Sequence, residues 1–581
     1  MRLFAQLYAE LDARTATLEK VAALRRYLAA APPADAAWAV YFLAGGKPRQ
    51  SVPGALLRAT ACTLAGIPDW LFEESYQAVG DLAETIALVL PPPASLGGED
   101  IGLAEWMEAR LLPLRGRSPQ DQAQCLAQWW GGLETAGRFL LCKLIGGSFR
   151  VGVSKLLVQR ALAEHAGLDP KLMAQRMMGF TDARQPPSAV RFLALLAPDD
   201  GTTAPADSGQ PYPFFLAHAL EAPAHSLGVP ADWIVEWKYD GIRAQVVRRA
   251  GQCWIWSRGE ELVTERFPEV VALAQSLPDG TVVDGEILAW QDGRPAPFAL
   301  LQQRLNRKTL PRKLLQEAPV TLLAYDLLED GGRDLRGQPL LLRRERLEAL
   351  AAGTGLPLSP LLEEATWDAL AAQRAASRER GVEGLMLKQR QAPYGAGRTK
   401  SEGLWWKWKI EPLTVDGVLV YAQRGHGRRA SVYTDYTFAV WSRSPRDAAE
   451  AQAVADAIAR RAPAGDLQLV PFTKAYSGLT DAEFAEVDRV IRASTVEKFG
   501  PVRSVRPALV FELGFEGIAR SPRHKSGIAL RFPRMLRLRT DKPLHEADTL
   551  QALQALLNAH GSASAAADDT SNNDTQEDAS A

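Results

Sequence analysis

Cysteine is scarce. Four occur in 581 residues, Cys62, Cys125, Cys142 and Cys253, far apart and never as CxxC. This spacing excludes a four-cysteine zinc module and argues against a disulfide framework. No uninterrupted apolar run reaches the roughly 18 residues that suggest a membrane span. The first twenty residues, MRLFAQLYAELDARTATLEK, hold no apolar core of signal-peptide type. The expected setting is reducing and cytoplasmic, with no membrane partner. Net charge is missing as well: 67 Lys and Arg face 68 Asp and Glu, leaving −1. Overall balance therefore decides nothing about a polyanionic partner, and local clustering must be examined. No internal repeat is evident.

What is present is ordinary for a globular chain, 47% hydrophobic and 23% charged. Its length fits three or four domains at roughly 100–200 residues each. Phe4, Leu7, Tyr8 and Leu11 repeat at helical spacing, as do Leu18, Val21, Leu24 and Leu28. The first 197 residues are alanine-rich and lack long strand patterns. Residues 198–213, PDDGTTAPADSGQPYP, read as a linker. Short apolar runs follow, including WIVEWKYD, GTVVDGEILAW, VTLLAYDLL, VEGLMLK and LWWKWKI, with helical stretches between them. They predict an α+β domain ending near Pro412. Further strand-like runs from VDGVLVYAQRG to GIALRFPRMLRLRT, with one helical stretch, predict a small barrel. The last stretch, GSASAAADDTSNNDTQEDASA, has five acidic and no basic residues and reads as a disordered tail.

Chemistry concentrates in IVEWKYDGIRAQ, residues 234–245. If it is extended, Glu236, Lys238 and Asp240 project to one face. A solvated charged strand would also read this way. A lysine becomes a nucleophile only when its amine is neutral, which burial or nearby cations favour. In LWWKWKIEP, Lys407 and Lys409 share a face while Trp406 and Trp408 point the other way. Paired lysines beside a core call for something anionic opposite, and a polyphosphate would serve; a half-exposed strand with two solvent lysines is the alternative. Glu286 and Glu383 interrupt apolar strands. They could be salt-bridge partners, or a ribose acceptor and a Mg²⁺ ligand, since that ion takes one or two carboxylates with phosphate oxygens and water. Tyr325 is either ordinary core or a ring on which a base stacks.

The ordered set KYDGIR (238–243), SRGEE (257–261), DGEI (284–287), YDLL (325–328), EGLMLK (383–388), KWK (407–409) and RTDK (539–542) resembles the covalent nucleotidyltransferase superfamily. Within it, the chain is most similar to ATP-dependent DNA ligases of the bacterial type that carries an N-terminal DNA-binding domain. The segments LLQQRLNRK, PLLLRRERL, VYTDYTFAVW and SPRHKSGIALRFPRMLRLRTDK share the likeness, and KLIGGSFRVGVSKLLVQRALA does so more loosely.

The resemblance implies an all-α N-terminal domain, an α+β nucleotidyltransferase core with ATP-grasp-like antiparallel sheets, and a C-terminal OB-fold β-barrel. The expected bounds are 1–205 for the helical DNA-binding domain, 206–411 for the adenylation domain and 412–548 for the barrel, with a helix end and the tail over 549–581. It also implies roles. Lys238 attacks the α-phosphate of ATP and holds AMP. Glu236 accepts from the adenine amino group, Arg243 and Glu286 hold the ribose end, Tyr325 stacks on the base, and Met386 covers its other face. Arg258 faces the phosphates or the nick. Glu383, with Glu286, binds Mg²⁺, with Mn²⁺ as a substitute. Lys407 and Lys409 neutralise the α-phosphate. Arg537, Arg539, Asp541 and Lys542 help orient leaving pyrophosphate, and the barrel swings about Glu411–Leu413 between steps. The family more often has Phe at the position of Tyr325, so the phenol needs a partner.

The implied partner is nicked double-stranded DNA, sealed by a monomer associated with the nucleoid during repair, replication or recombination. Local charge agrees. Residues 501–542 carry ten basic and three acidic residues, a local +7, and residues 143–184 carry seven and three, a local +4. Contacts of this kind are to phosphates, salt-sensitive and blind to sequence. A solvated helical surface is the alternative for the second cluster. Rival readings are an RNA ligase, an mRNA-capping guanylyltransferase and a non-catalytic nick-binding scaffold.

Overall fold

The change of period near residue 213 marks the change from helices to strands in the structure. The computed structural model describes residues 1–93, 100–146, 149, 151–183, 185–198, 209–305, 307, 310–398, 404–425, 432–463, 465–522 and 524–560. The tail from residue 561, linker residues 199–208, Arg523 and Arg184 lie outside the described residues, as do Gly147, Ser148 and Arg150 of the GGSFRVG segment. The chain forms two compact units. One comprises residues 1–52, 97–118 and 143–410; the other comprises 53–96, 119–142 and 411–581.

Before His218 the regular structure among the described residues is helical, running from Arg2–Ala13 to Ala189–Leu196. Helix ends carry the expected chemistry. The Ser154 hydroxyl accepts from the Leu157 N–H at the start of Lys155–Ala166, and Gly167 closes that helix at φ +67°, a left-handed conformation that glycine adopts without strain. In the first unit the apolar faces of these helices meet around Phe4, Tyr27, Phe42 and Phe149. No described helix is long and apolar enough to cross a membrane.

The first unit continues with ten strands among the described residues: β1 (His218–Ala219), β2 (Trp233–Trp237), β3 (Ile242–Arg249), β4 (Gln252–Ser257), β5 (Thr281–Gln291), β6 (Arg294–Pro295), β7 (Val320–Asp330), β8 (Arg333–Asp334), β9 (Gly384–Gln389) and β10 (Trp405–Lys409). They form two sheets. One has the order β1-β10-β9-β2; the other has the order β4-β3-β5-β7-β8, with β6 beside β5. All pairings are antiparallel except β1 with β10. Val247, Val282 and Leu328 of the larger sheet share a buried cluster with Trp405 of the smaller one and Tyr394. The helix Leu340–Thr354 is anchored to β7 by an ion pair with no exposure on either side, Arg343 Nε to Asp326 Oδ1 at 2.7 Å.

The β-rich part of the second unit contains β11 (Leu413–Arg424), β12 (Tyr433–Trp441), β13 (Leu469–Ala475), β14 (Thr495–Phe499), β15 (Val502–Val505), β16 (Val510–Phe515), β17 (Gly517–Arg520), β18 (Ile528–Arg531) and β19 (Arg534–Leu538). β11 pairs with β12 along one edge. On its other edge it pairs first with β16 and then with β15, and register shifts in the β11–β12 ladder bend it there. The inward residues include Val415, Leu419, Tyr436, Phe438, Phe511 and Leu513. The helix Asp481–Ser494 packs Phe484, Val487 and Ile491 onto that core, and its start carries a Thr480/Glu483 capping box.

Candidate active site

Lys238 stands where the chain leaves one sheet for the other. β2 pairs with β9 as far as Trp237 opposite Leu385. One step on, the Lys238 N–H donates to Gly384 O at 2.8 Å and the Glu383 N–H donates to Lys238 O at 2.7 Å. The extended path ends there, and Asp240 lies in a bend, outside the predicted row of three. The reason is the crossing between sheets: Gly241 passes so close to β5 that a Cβ on it would lie 2.5 Å from Ile287 O.

Cations and carboxylates converge on the lysine. Its Nζ hydrogen-bonds Glu383, and Lys409 Nζ lies 3.4 Å from the same Glu383 oxygen. Lys407 and Lys409 share one face of β10, as the spacing predicted, while Trp406 and Trp408 pack on Trp233, Val235 and Trp237. Burial first, then the charges of Lys238, Arg398, Lys409 and Arg258, hold the Lys407 amine below its ordinary range. An entering polyphosphate would relieve the crowding of these cations. Arg258 is fixed through its backbone, its N–H donating to Arg243 O at 3.0 Å. Glu286 lies opposite Arg243 in the β3–β5 ladder. Burial raises its carboxyl to about 7, against the lowering pull of Lys238 and Arg243.

A fully buried carboxylate that the sequence reading passed over organises the next layer. Asp284 receives Arg243 Nε at 3.1 Å and Nη2 at 2.7 Å, the Tyr394 hydroxyl at 2.6 Å and the Tyr325 hydroxyl at 3.2 Å. The phenol of Tyr325 thereby has the partner it needed. Arg243 also donates to Phe215 O at 2.5 Å.

Glu236 is 2% exposed, and both its oxygens are engaged. Oε1 accepts from Arg344 Nη1 at 3.2 Å and Oε2 from Lys388 Nζ at 2.5 Å. That ammonium lies 3.9 Å from the Tyr325 ring centroid and 4.6 Å from that of Trp405. Met386 stands between Glu236 on β2 and Lys407 on β10 in the ladder, packed near Tyr325. Arg344 and Lys388 were not singled out from the sequence, although Lys388 ends the EGLMLK motif.

The remaining predicted residues belong to the second unit, where Arg539 and Lys542 converge on Asp416. Arg539 Nη1 lies 3.0 Å and Lys542 Nζ 2.6 Å from its Oδ2; Arg539 also pairs with Asp541 at 2.9 Å. Arg537 pairs with Glu512 at 2.6 Å. Among the described residues, no cluster of three or more His, Cys, Asp or Glu could cage a metal. Glu383 and Glu286, both beside Lys238, fit an ion that completes its shell with phosphate oxygens and water.

Three family models match the chain: "DNA ligase N terminus" over residues 1–163, "ATP dependent DNA ligase domain" over 215–409 and "ATP dependent DNA ligase C terminal region" over 455–542. A "Probable DNA ligase" of Koribacter versatilis is 30% identical, with 96% of each chain covered. Another, of Opitutus terrae, is 32% identical over 97% of this chain; the match spans 63% of that relative's length. The solved structure "Pmar-Lig_PreS3" has the same fold over 92% of this chain and 99% of its own, with a TM-score of 0.57 at 14% identity.

Proposed function

We propose that this chain, which belongs to the ATP-dependent DNA ligase family, seals 5′-phosphate/3′-hydroxyl nicks in duplex DNA through a lysyl-AMP intermediate on Lys238. The observation that carries this reading is the set of charges around that lysine. Its amine touches Glu383, Lys409 lies beside the same carboxylate, and burial and neighbouring cations disfavour the charge on Lys407.

In the first step the Lys238 nitrogen forms a bond to the α-phosphorus as the bond to pyrophosphate breaks. AMP then passes to the 5′-phosphate of the nick, and the 3′-hydroxyl displaces it. Lys407 and Lys409 meet the charge that develops on the α-phosphate, stabilisation that counts most where water is excluded. Glu236 reads the base, Tyr325 and Met386 enclose it, Arg243 and Glu286 hold the ribose end, and Arg258 faces the phosphates. Mg²⁺, held by Glu383 and Glu286, would draw charge from the phosphate oxygens when bound. Arg537, Arg539 and Lys542 serve the leaving pyrophosphate.

In this reading residues 1–205 supply the DNA-binding part, residues 206–411 a nucleotidyltransferase domain and residues 412–548 an OB-fold barrel. The bent β11, shared among β12, β15 and β16, supports the last assignment. The enzyme acts as a monomer. The test is direct: with α-labelled ATP, Lys238→Ala should form no covalent adduct and seal no nick. An undiminished adduct would overturn the role given to Lys238.

A further inference from the structure

Away from the nucleotide pocket, one ion pair inside the first unit joins a helix to the strand-rich core. The Lys155 ammonium hydrogen-bonds Glu260 Oε2, and 23% and 17% of the two side chains are exposed. Among the described residues that amine meets no other acceptor and that carboxylate no other donor. Lys155 is the first residue of the helix Lys155–Ala166, the end at which the macrodipole disfavours a cation, and the first turn has no acidic residue of its own. Its neighbours Ser154 and Leu156 stand exposed, and the surrounding segment 143–184 is the basic one, a local +4. Glu260 lies in the turn after β4 at φ +62°, a conformation few non-glycine residues adopt. The turn is fixed by the Glu260 N–H donating to Ser257 O and the Ser257 N–H to Glu261 O, both at 2.9 Å. It also carries Arg258, which the mechanism above directs toward phosphates. A carboxylate held rigidly on such a turn repels the polyanion that Arg258 attracts, unless a cation cancels it.

We propose that Lys155 binds a backbone phosphate of the duplex and that Glu260 is its built-in competitor. In the free protein the carboxylate holds the ammonium; on DNA binding Lys155 exchanges that oxyanion for a phosphate. This rests on the reading of residues 143–184 as part of the duplex-binding surface, and adds a named contact with its internal counter-ion. The pair is not needed to hold the helical segment in place. Arg336, just after β8, donates from Nη2 to Gln175 Oε1 at 3.1 Å, and Gly179 lies so near β4 that a Cβ on it would be 3.3 Å from the Trp256 ring. Those contacts can persist while one flexible side chain changes partner. The exchange never leaves the ammonium unpaired, so it avoids the cost of a stranded, half-buried charge. It does oblige the duplex to displace Glu260, which lowers affinity by the worth of the pair.

The test measures binding of the full chain to a nicked duplex over a range of salt concentrations. Lys155→Met keeps the length without the charge; it should weaken binding and reduce the salt slope by about 1. Lys155→Arg keeps a cation and should keep the slope. Glu260→Gln removes the competitor and should tighten binding about threefold, the scale of a partly exposed pair, with the wild-type slope. The double variant should share the slope of Lys155→Met. An unchanged slope in Lys155→Met, or binding by Glu260→Gln no tighter than the wild type's, would overturn the proposal and leave the pair as a brace that stays closed on DNA. A gain of affinity cannot come from misfolding, so the Glu260→Gln arm decides even if Lys155→Met folds poorly. A wild type that forms the labelled adduct with ATP but binds no nicked duplex would instead strike at the DNA reading itself, a different result from indifference to Lys155.

Discussion

The Asp284 carboxylate is fully buried and receives both forks of Arg243 together with the hydroxyls of Tyr325 and Tyr394. Two groups assigned to hold the nucleoside therefore take their positions from one acid that need not touch it. Asp284→Asn keeps the shape but leaves the Arg243 charge without its buried counter-ion. Breaking such a pair costs about 3–5 kcal/mol, so urea unfolding should show a loss of that order, together with a raised KM for ATP in adduct formation. A midpoint unchanged from the wild type would show that Arg243 finds another partner. At this scale the sequence was informative where chemistry sits in a short motif. Lys238, Glu383, Lys407 and Lys409 are brought together as their motifs implied. Asp284, Arg344 and Lys388 escaped notice because their partners lie far along the chain: Tyr394 is 110 positions from Asp284, and Glu236 is 108 from Arg344 and 152 from Lys388. DGEI and EGLMLK contained two of the three, but no spacing within a motif reveals what a buried charge meets.

Among the elements, β9 bears most directly on the site. It pairs with β2 on one side and β10 on the other, and its first residue, Gly384, adopts φ +133° while accepting the Lys238 N–H. A Cβ at that position would collide with the backbone of Trp408. Gly384→Ala therefore meets both a disfavoured conformation, worth about 1–3 kcal/mol, and a clash with a neighbouring strand. The expected result is a lowered unfolding midpoint and weak adduct formation, since Lys238, Glu383 and Lys409 would all shift. A stable variant with normal adduct formation would show that the strands adjust without disturbing the lysine. The long strands β2, β5, β7, β9 and β10 were legible as apolar runs bounded by turn residues. Two-residue strands such as β1, β6 and β8 were not, because so short a segment has no period and exists only through its neighbour. The break after Lys238 was also invisible, since a transfer between sheets is a property of the sheets rather than of the local sequence.

For the molecule as a whole, balance conceals distribution. A net charge of −1 coexists with ten basic and three acidic residues over 501–542. Duplex binding through such a surface should weaken linearly in log–log plots against salt. Arg534, exposed at the start of β19, is one candidate for a phosphate contact. Arg534→Ala should weaken nicked-duplex binding to a similar degree for unrelated sequences and reduce the salt slope by about 1. An unchanged slope would remove it from the DNA surface. The division of the helical region between two units was beyond the reach of sequence reading, because helical period says which face is apolar and not which neighbour covers it. The first unit has one more consequence. Arg249 with Glu329 and Arg343 with Asp326 bind its strands and a helix through arginines that are 2% exposed or less. Losing either member strands the other, whereas replacing both by apolar groups need not be harmful. Over evolutionary time, then, these positions are constrained to change two at a time, and descendants should carry each pair intact or lack it altogether.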